Sequence, residues 1–145
     1  MKVIAQRSKN SSVIVDGKTV GKIDKGLVLL IGFTFEDSVK DIDYMIDKII
    51  NLRIFNDENG IMNKSLIDIN GSILSVSQFT LYADTKKGRR PSYANALKSE
   101  EAKLLYDLFN KKLKEKVEVE TGIFGSEMIL NITNDGPVTI VMESR

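Results

Sequence analysis

The longest apolar run of the chain, residues 26–33, limits most strongly what the sequence can fold into. It is far shorter than the roughly 18 apolar residues that a membrane-spanning helix needs. A short aliphatic run of this kind is typical of a buried strand, which we place at residues 27–33. Residues 1–7 lack the long apolar segment of a signal peptide, so we expect a soluble cytoplasmic protein.

The apolar pattern on either side of this run switches between the strand and helix periods. Helical spacing predicts two main helices, one beginning after the N-cap Ser38 and one beginning near Ser99. Asp16 and Gly17 separate two alternating segments, which is a hairpin signal. Further strands are predicted at residues 1–9, 13–15, 19–23, 67–69, 73–82, 117–121, 128–133 and 138–142. This order indicates an α+β fold with mostly antiparallel sheet, few parallel crossovers and one domain, residues 1–145.

Two residue types are missing from the chain, and their absence restricts its chemistry. Without cysteine there is no disulfide, thiolate nucleophile or iron–sulfur site. Without histidine there is no Ser-His-Asp triad, HExxH zinc site or imidazole base. The net charge is only +1, so any nucleic-acid binding must depend on a local basic patch. An enzyme of this composition must use hydroxyls, carboxylates, amides, lysine, arginine, backbone groups or its own substrate.

The predicted strand at residues 73–82 carries the first candidate site. Alternation would place Val76, Gln78 and Thr80 on one face, and Ser77 and Phe79 on the other. These polar groups either bond to neighbouring backbone or form a site at the end of the strand. A Thr80 nucleophile would need a lysine as its base, because the chain has no histidine.

A second candidate is the segment 134–139, Asn-Asp-Gly-Pro-Val-Thr. Gly-Pro is a common turn dipeptide, and the segment by itself predicts a turn between two strands. Nothing local predicts a cis bond before Pro137, since only about 5–6% of X–Pro bonds in folded proteins are cis.

A third candidate is a cluster of cations on an otherwise neutral chain. Its members are Lys86, Lys87, Arg89 and Arg90. The cluster is either a solvated loop or a loop that contacts phosphates. Tyr82 and Tyr93 lie nearby in the sequence and could stack on a base.

Arg7 is a charged residue near the end of an otherwise apolar first strand. Such a residue is usually exposed. If Arg7 is buried, it needs carbonyl or carboxylate partners, and its guanidinium can bind several carbonyls at once.

Taken together, these segments resemble one family, the D-aminoacyl-tRNA deacylases (D-tyrosyl-tRNA deacylase family). The resemblance depends on two hallmark motifs, Ser-Gln-Phe-Thr-Leu at 77–81 and Asn-Asp-Gly-Pro-Val-Thr at 134–139. Segments 87–92 and 124–128 and Arg7 also match, and the likeness covers the whole chain. Ser126–Met128 departs from the Ala-Asp-Met of the family pattern.

The resemblance implies a homodimer with a barrel-like α+β fold and active sites at the subunit interface. Gly136–Pro137 would be a cis peptide inserted into the other subunit's site, where its carbonyls capture the α-amino group and exclude an L side chain. Arg7, Asn134 and Thr139 would support that loop. The catalytic pocket would be lined by Ser77, Gln78, Phe79 and Thr80. Lys86, Lys87, Arg89 and Arg90 would bind the tRNA, and neither a metal nor another cofactor is implied.

The implied function is hydrolysis of the ester bond of D-aminoacyl-tRNA. Glycine has no side chain to exclude, so mischarged glycyl-tRNA is an expected substrate too. The ester is activated, so positioning, backbone N–H groups near Phe79 and Thr80, and the 2′-hydroxyl of the terminal adenosine would suffice. Two other functions stay open: a non-catalytic tRNA- or RNA-binding module, and a hydrolase of another ester or amide with Thr80 as nucleophile.

Overall fold

A long antiparallel hairpin forms the first part of the chain in the computed structural model, which describes residues 1–145. Strand β1 is Lys2–Val15 and strand β2 is Lys18–Gly32. The turn between them has positive φ at both Asp16 (49°) and Gly17 (75°), as a two-residue hairpin loop requires. The separate strands predicted within residues 1–32 therefore join into two, and the buried run lies in β2.

Six further strands complete the structure. They are β3 Phe55–Asn56, β4 Met62–Lys64, β5 Ser72–Ser77, β6 Val119–Thr121, β7 Ile129–Asn131 and β8 Asn134–Glu143. The main sheet has the order β6-β5-β2-β1-β7, and β8 pairs with the other half of the same edge of β1. β5 is parallel to both β2 and β6, and the remaining pairs are antiparallel. The α+β class is confirmed, although the sheet stays open instead of closing into a barrel.

Two helices connect the parallel strands. Helix α1, Val39–Asn51, lies between β2 and β5 in the chain, and helix α2, Ser99–Lys114, lies between β5 and β6. The predicted N-cap of α1 is confirmed, because the Asp41 carboxylate accepts a hydrogen bond from the Ser38 backbone N–H at 2.9 Å. No helix is long and apolar enough to cross a membrane.

The two faces of the sheet bury different sets of side chains. Alternate β2 residues, among them Leu27, Leu29 and Ile31, pack in a large core with both helices. Val28 faces the other way and belongs to a smaller cluster with Leu74 and Val76 of β5. The period-2 pattern thus accounts for both layers.

Three local predictions are wrong. Residues 67–69 form a turn, because Ser65 and Asp68 side chains bond to each other's backbone N–H groups (3.2 and 2.8 Å) in place of a strand ladder. Residues 78–82 are not strand, since β5 ends at Ser77 and a 3₁₀ helix, Phe79–Tyr82, follows. Residues 134–137 are not a turn between two strands but belong to β8, which bulges between Asn134 and Thr139.

Candidate active site

The end of β5 positions the first group of predicted site residues. The parallel ladder with β2 ends at the pair Ile31–Ser77, and the Gln78 N–H then donates to the Ile31 carbonyl at 2.7 Å. β2 ends at Gly32, where a Cβ would lie 2.9 Å from the Gln78 carbonyl oxygen. The backbone at Gln78 packs directly against Gly32, and the chain then turns into the 3₁₀ helix. The strand alternation of side chains expected for residues 78–82 therefore does not apply.

A pocket of about 480 Å³ opens at this strand end. It is lined by Ile31, Phe33, Val76, Ser77, Gln78, Phe79, Leu97, Ser99, Ala102, Phe124, Gly125, Ser126, Met128 and Leu130. The predicted residues Ser77, Gln78 and Phe79 are therefore brought together, with the 124–128 segment opposite them. An apolar pocket with a few polar groups is the usual form of a small-ligand site.

The polar groups of the pocket are hydroxyls, an amide and backbone N–H groups. None of the fourteen lining residues has an ionisable side chain. Thr80 is not among them, and the Gln78 side-chain amide donates to its hydroxyl oxygen at 2.5 Å. Phe79 and Thr80 are the first residues of the 3₁₀ helix, so their N–H groups have no acceptor within it, and no side chain caps them.

A buried tyrosine contacts two segments that line the pocket. The Tyr106 hydroxyl donates to the Ser75 carbonyl at 2.8 Å, and its ring lies 5.6 Å from that of Phe124 between centroids. Burial raises the pKa of Tyr106, so the hydroxyl keeps its proton and remains a donor. It therefore links α2 to the strand that carries Ser77.

The Gly136–Pro137 segment forms a bulge opposite Arg7. Between Gln6 and Ser8 of β1, the partner on β8 moves from Thr139 to Asn134, and residues 135–138 have no partner on β1. The Gly136–Pro137 peptide bond is cis. Both residues are exposed, and neither lines the pocket of its own chain.

Arg7 is buried and holds this bulge. Its contacts confirm the prediction that a buried guanidinium here would bind carbonyl groups. Its Nε donates to the Asp135 carbonyl at 3.1 Å and lies 3.3 Å from the Asp135 carboxylate. Its Nη1 donates to the Ile54 carbonyl at 2.9 Å and to the Asn56 side-chain oxygen at 3.2 Å. The guanidinium thus joins β1, the bulge and the chain after α1.

Asn134 and Thr139 close the two ends of the bulge. The Asn134 amide donates to the Thr139 hydroxyl oxygen at 2.9 Å, and Asn134 Oδ1 accepts from the Val138 N–H at 3.3 Å. These contacts leave the Gly136 and Pro137 side of the bulge facing outward.

The basic cluster lies in a closed, exposed loop, residues 85–91, which we call the basic loop. Asp84 and Ser92 exchange two backbone hydrogen bonds of 2.7 and 2.9 Å and close it. Lys86, Lys87, Arg89 and Arg90 are exposed, and none is within 4.0 Å of a carboxylate. These four charges are therefore available to an external anion.

Several residues of the site were not predicted from the sequence. Ser99 and Ala102 reach the pocket from the first turn of α2, and Leu97 reaches it from the segment just before that helix; their only signal was the helix predicted to begin near Ser99. Asp135 lay inside a recognised motif but had no assigned contact with Arg7. No group of three metal-ligating acidic side chains occurs in the structure.

Known proteins are similar to this chain over almost its whole length. The model of the family described as D-Tyr-tRNA(Tyr) deacylase matches residues 4–143. A D-aminoacyl-tRNA deacylase of Bacillus cytotoxicus is 54% identical over 146 residues, covering 100% of both chains. Another, of Brevibacillus brevis, is 55% identical over 145 residues, covering 99% of this chain and 100% of the relative.

Solved structures with the same fold include two with contrasting names. A c-Myc DNA unwinding element binding protein has a TM-score of 0.95 and 40% identity, covering 100% of this chain and 99% of that one. A probable eukaryotic D-amino acid tRNA deacylase has a TM-score of 0.83 and 18% identity, covering 97% of each chain, and shows the fold alone.

The fold, the pocket and these relatives define the class, which is that of the α+β hydrolases of carboxylic esters that act on aminoacyl-tRNA. Within that class, the chain belongs to the D-Tyr-tRNA(Tyr) deacylase family.

Proposed function

We propose that this enzyme hydrolyses the ester bond of D-aminoacyl-tRNA and of mischarged glycyl-tRNA. The observation that carries the proposal is the apolar pocket at the end of β5, which has no ionisable side chain and lies beside the uncapped N–H groups of Phe79 and Thr80. Such a pocket has no base that could activate a protein nucleophile. It can hold an activated ester in place and stabilise an oxyanion.

The chemistry follows from these groups. Water adds to the ester carbonyl carbon, and the resulting oxyanion accepts hydrogen bonds from the Phe79 and Thr80 N–H groups. The bond to the ribose oxygen then breaks, and that oxygen takes the proton that the water loses. The 2′-hydroxyl of the terminal adenosine, which is next to the ester oxygen on the ribose, relays this proton in our proposal, because no ionisable side chain lines the pocket to act as a general base.

Rejection of L-amino acids needs a group that blocks the L side chain, and the pocket of a single chain contains none in our proposal. The Gly136–Pro137 backbone of a second copy of this chain supplies it. Gly136 and Pro137 project from the bulge that Arg7 holds, outside their own pocket. In a homodimer with its active sites at the interface, their carbonyls accept hydrogen bonds from the substrate's α-ammonium group. The same backbone occupies the space that an L side chain would need, whereas a D side chain or glycine fits.

The basic loop binds the tRNA in this proposal, through phosphate contacts of its four unpaired cations. The cytoplasm, where aminoacyl-tRNA is used, is the proposed location.

Non-catalytic nucleic-acid binding is a second candidate. It is favoured by the four unpaired cations and by the neighbouring structure that is named for DNA binding. A hydrolase with Thr80 as nucleophile has less support, because Thr80 does not line the pocket and its hydroxyl contacts an amide, which is not a base.

The deciding experiment compares release of amino acid from D-tyrosyl-, L-tyrosyl- and glycyl-tRNA at equal tRNA concentration. We expect rapid release from the first and third and little from the second. Absence of release from D-tyrosyl-tRNA would refute the proposed function and leave the binding module and the hydrolase of another ester or amide. An acyl group trapped on Thr80 and detected by mass spectrometry would support the nucleophile instead, and light scattering would test the dimer.

A further inference from the structure

Tyr93 is an exposed aromatic residue between the pocket and the basic loop, and the functions proposed above give it no role. Its ring meets the Phe79 ring edge-to-face, with 5.1 Å between centroids and 67° between planes. Phe79 is 56% exposed and Tyr93 is 44% exposed. Tyr93 follows Ser92, which closes the basic loop by pairing with Asp84. The surface therefore runs from the pocket over Phe79 and Tyr93 to the basic loop.

An exposed tyrosine by itself is ordinary on a protein surface. Here it directly follows the closed loop that carries four cations without a carboxylate partner, and its ring contacts a ring that lines the pocket. Aromatic rings beside a row of free cations are the means by which proteins bind single-stranded nucleic acids, because every base has a face that stacks and every phosphate has a charge. The charges select an anionic strand, and the ring selects a base that is not already paired.

We propose that Tyr93 stacks on the penultimate base of the unpaired 3′ end of tRNA, while the basic loop holds the phosphates on its 5′ side. This inference rests on the proposed function, which places the ester of the terminal nucleotide in the pocket beside Phe79. The strand then runs with its 3′ end in the pocket and its 5′ side on the loop. A blunt duplex offers Tyr93 no free base, so the contact favours the single-stranded end.

The test uses two RNA hairpins that share one acceptor-like stem. One has an unpaired four-nucleotide 3′ end with 2-aminopurine as the penultimate base, and the other is blunt. Binding and 2-aminopurine fluorescence are measured at a fixed salt concentration for the full-length protein and three variants. Tyr93→Leu removes the ring, and Tyr93→Phe keeps it and loses only a hydroxyl that makes no hydrogen bond in the structure. Tyr44→Leu is the matched control, because Tyr44 is 48% exposed on α1 and outside the pocket.

The wild-type protein should quench the 2-aminopurine on binding. Tyr93→Leu should weaken binding of the overhanging hairpin roughly 5- to 150-fold and abolish most of the quenching. Binding of the blunt hairpin should not change, and Tyr93→Phe and Tyr44→Leu should behave as wild type. Full quenching and unchanged affinity in Tyr93→Leu would overturn the proposal, as would an equal loss of affinity for both hairpins.

Deacylation of D-tyrosyl-tRNA, measured in parallel, separates this proposal from the proposed function. Release of D-tyrosine by wild type with an unchanged KM in Tyr93→Leu would overturn the stacking contact and leave the function intact. Quenching that depends on Tyr93 without any release would support the strand contact and refute the function.

Discussion

Replacement of Arg7 by alanine tests how the bulge at Gly136–Pro137 is held. In the folded protein the guanidinium is buried and donates to Asp135, Ile54 and Asn56. Alanine would remove all of these donors at once. The carbonyls of Ile54 and Asp135 would lose this donor, and the Asp135 carboxylate would keep only Lys9 as a cationic partner.

The magnitude follows from this burial. Removing one partner of a buried ion pair costs about 3–5 kcal/mol, because the other charge is left uncompensated. The Asp135 side chain is 29% exposed and keeps Lys9 Nζ at 3.3 Å, so water and Lys9 compensate in part and the lower end applies, about 3 kcal/mol. With a urea m-value of about 1–3 kcal/mol/M, the midpoint of unfolding should fall by about 1–3 M.

The measurement is urea unfolding followed by circular dichroism, combined with rates on D- and L-tyrosyl-tRNA. Lys9→Ala is the matched control, because Lys9 Nζ also lies 3.3 Å from the Asp135 carboxylate but its side chain is 55% exposed. That variant should lose at most about 1 kcal/mol. In Arg7→Ala the ratio of D to L rates should also fall, with little change in tRNA affinity.

Equal unfolding midpoints for Arg7→Ala and Lys9→Ala would refute this reasoning. A loss of tRNA affinity alone would show instead that Arg7 contacts a phosphate.

Four further variants test the remaining parts of the site and the fold. Thr80→Ala should keep much of the activity in a deacylation assay, because its hydroxyl has no base; a loss near 10⁴-fold would mean that it takes part in proton transfer. Charge reversal at Lys86, Lys87, Arg89 and Arg90 should weaken tRNA binding and flatten the log–log salt dependence by roughly 0.9 or less per lost contact, leaving the D/L ratio unchanged. Gly136→Ala should slow D-tyrosyl-tRNA hydrolysis, because φ is +122° and the new Cβ would lie 2.9 Å from Val138 Cγ2; full D-specific activity would contradict this. Burial raises the pKa of Asp41, but hydrogen bonds from Ser144 and Ser38 and the Arg145 charge outweigh it and lower the pKa from 3.8 to about 2. This carboxylate therefore stabilises the fold above pH 3.8, and the contribution is lost as the pH falls toward 2; urea unfolding of Asp41→Asn should lack that dependence.

Elements held by contacts close in sequence were predictable. The Asp16–Gly17 turn follows from the backbone conformations that these two residues tolerate. Helix α1 begins where Ser38 and Asp41 bond to each other, three positions apart. Neither feature depends on how the rest of the chain folds.

Alternation alone failed where a distant strand decides. The pattern of β5 continues to Tyr82, but β2 ends at Gly32 and gives the ladder no further partner after Ser77. The resulting turn leaves the N–H groups of Phe79 and Thr80 uncapped, which is the feature on which the proposed chemistry depends. The residue pattern of β5 carries no information on where β2 ends, because Gly32 lies more than forty residues earlier in the chain.

The sequence by itself determined the fold class, the two helices, the first hairpin and the chemistry that a chain without histidine or cysteine cannot use. It also showed that a buried Arg7 would need carbonyl or carboxylate partners. Only the tertiary structure decided which ones, since Asp135 is 128 positions away and Ile54 is 47 positions away. Turns and caps follow from local dihedral and hydrogen-bond preferences. The contacts of Arg7 with the bulge and the pocket depend instead on strand register between segments that meet only when the whole sheet has formed.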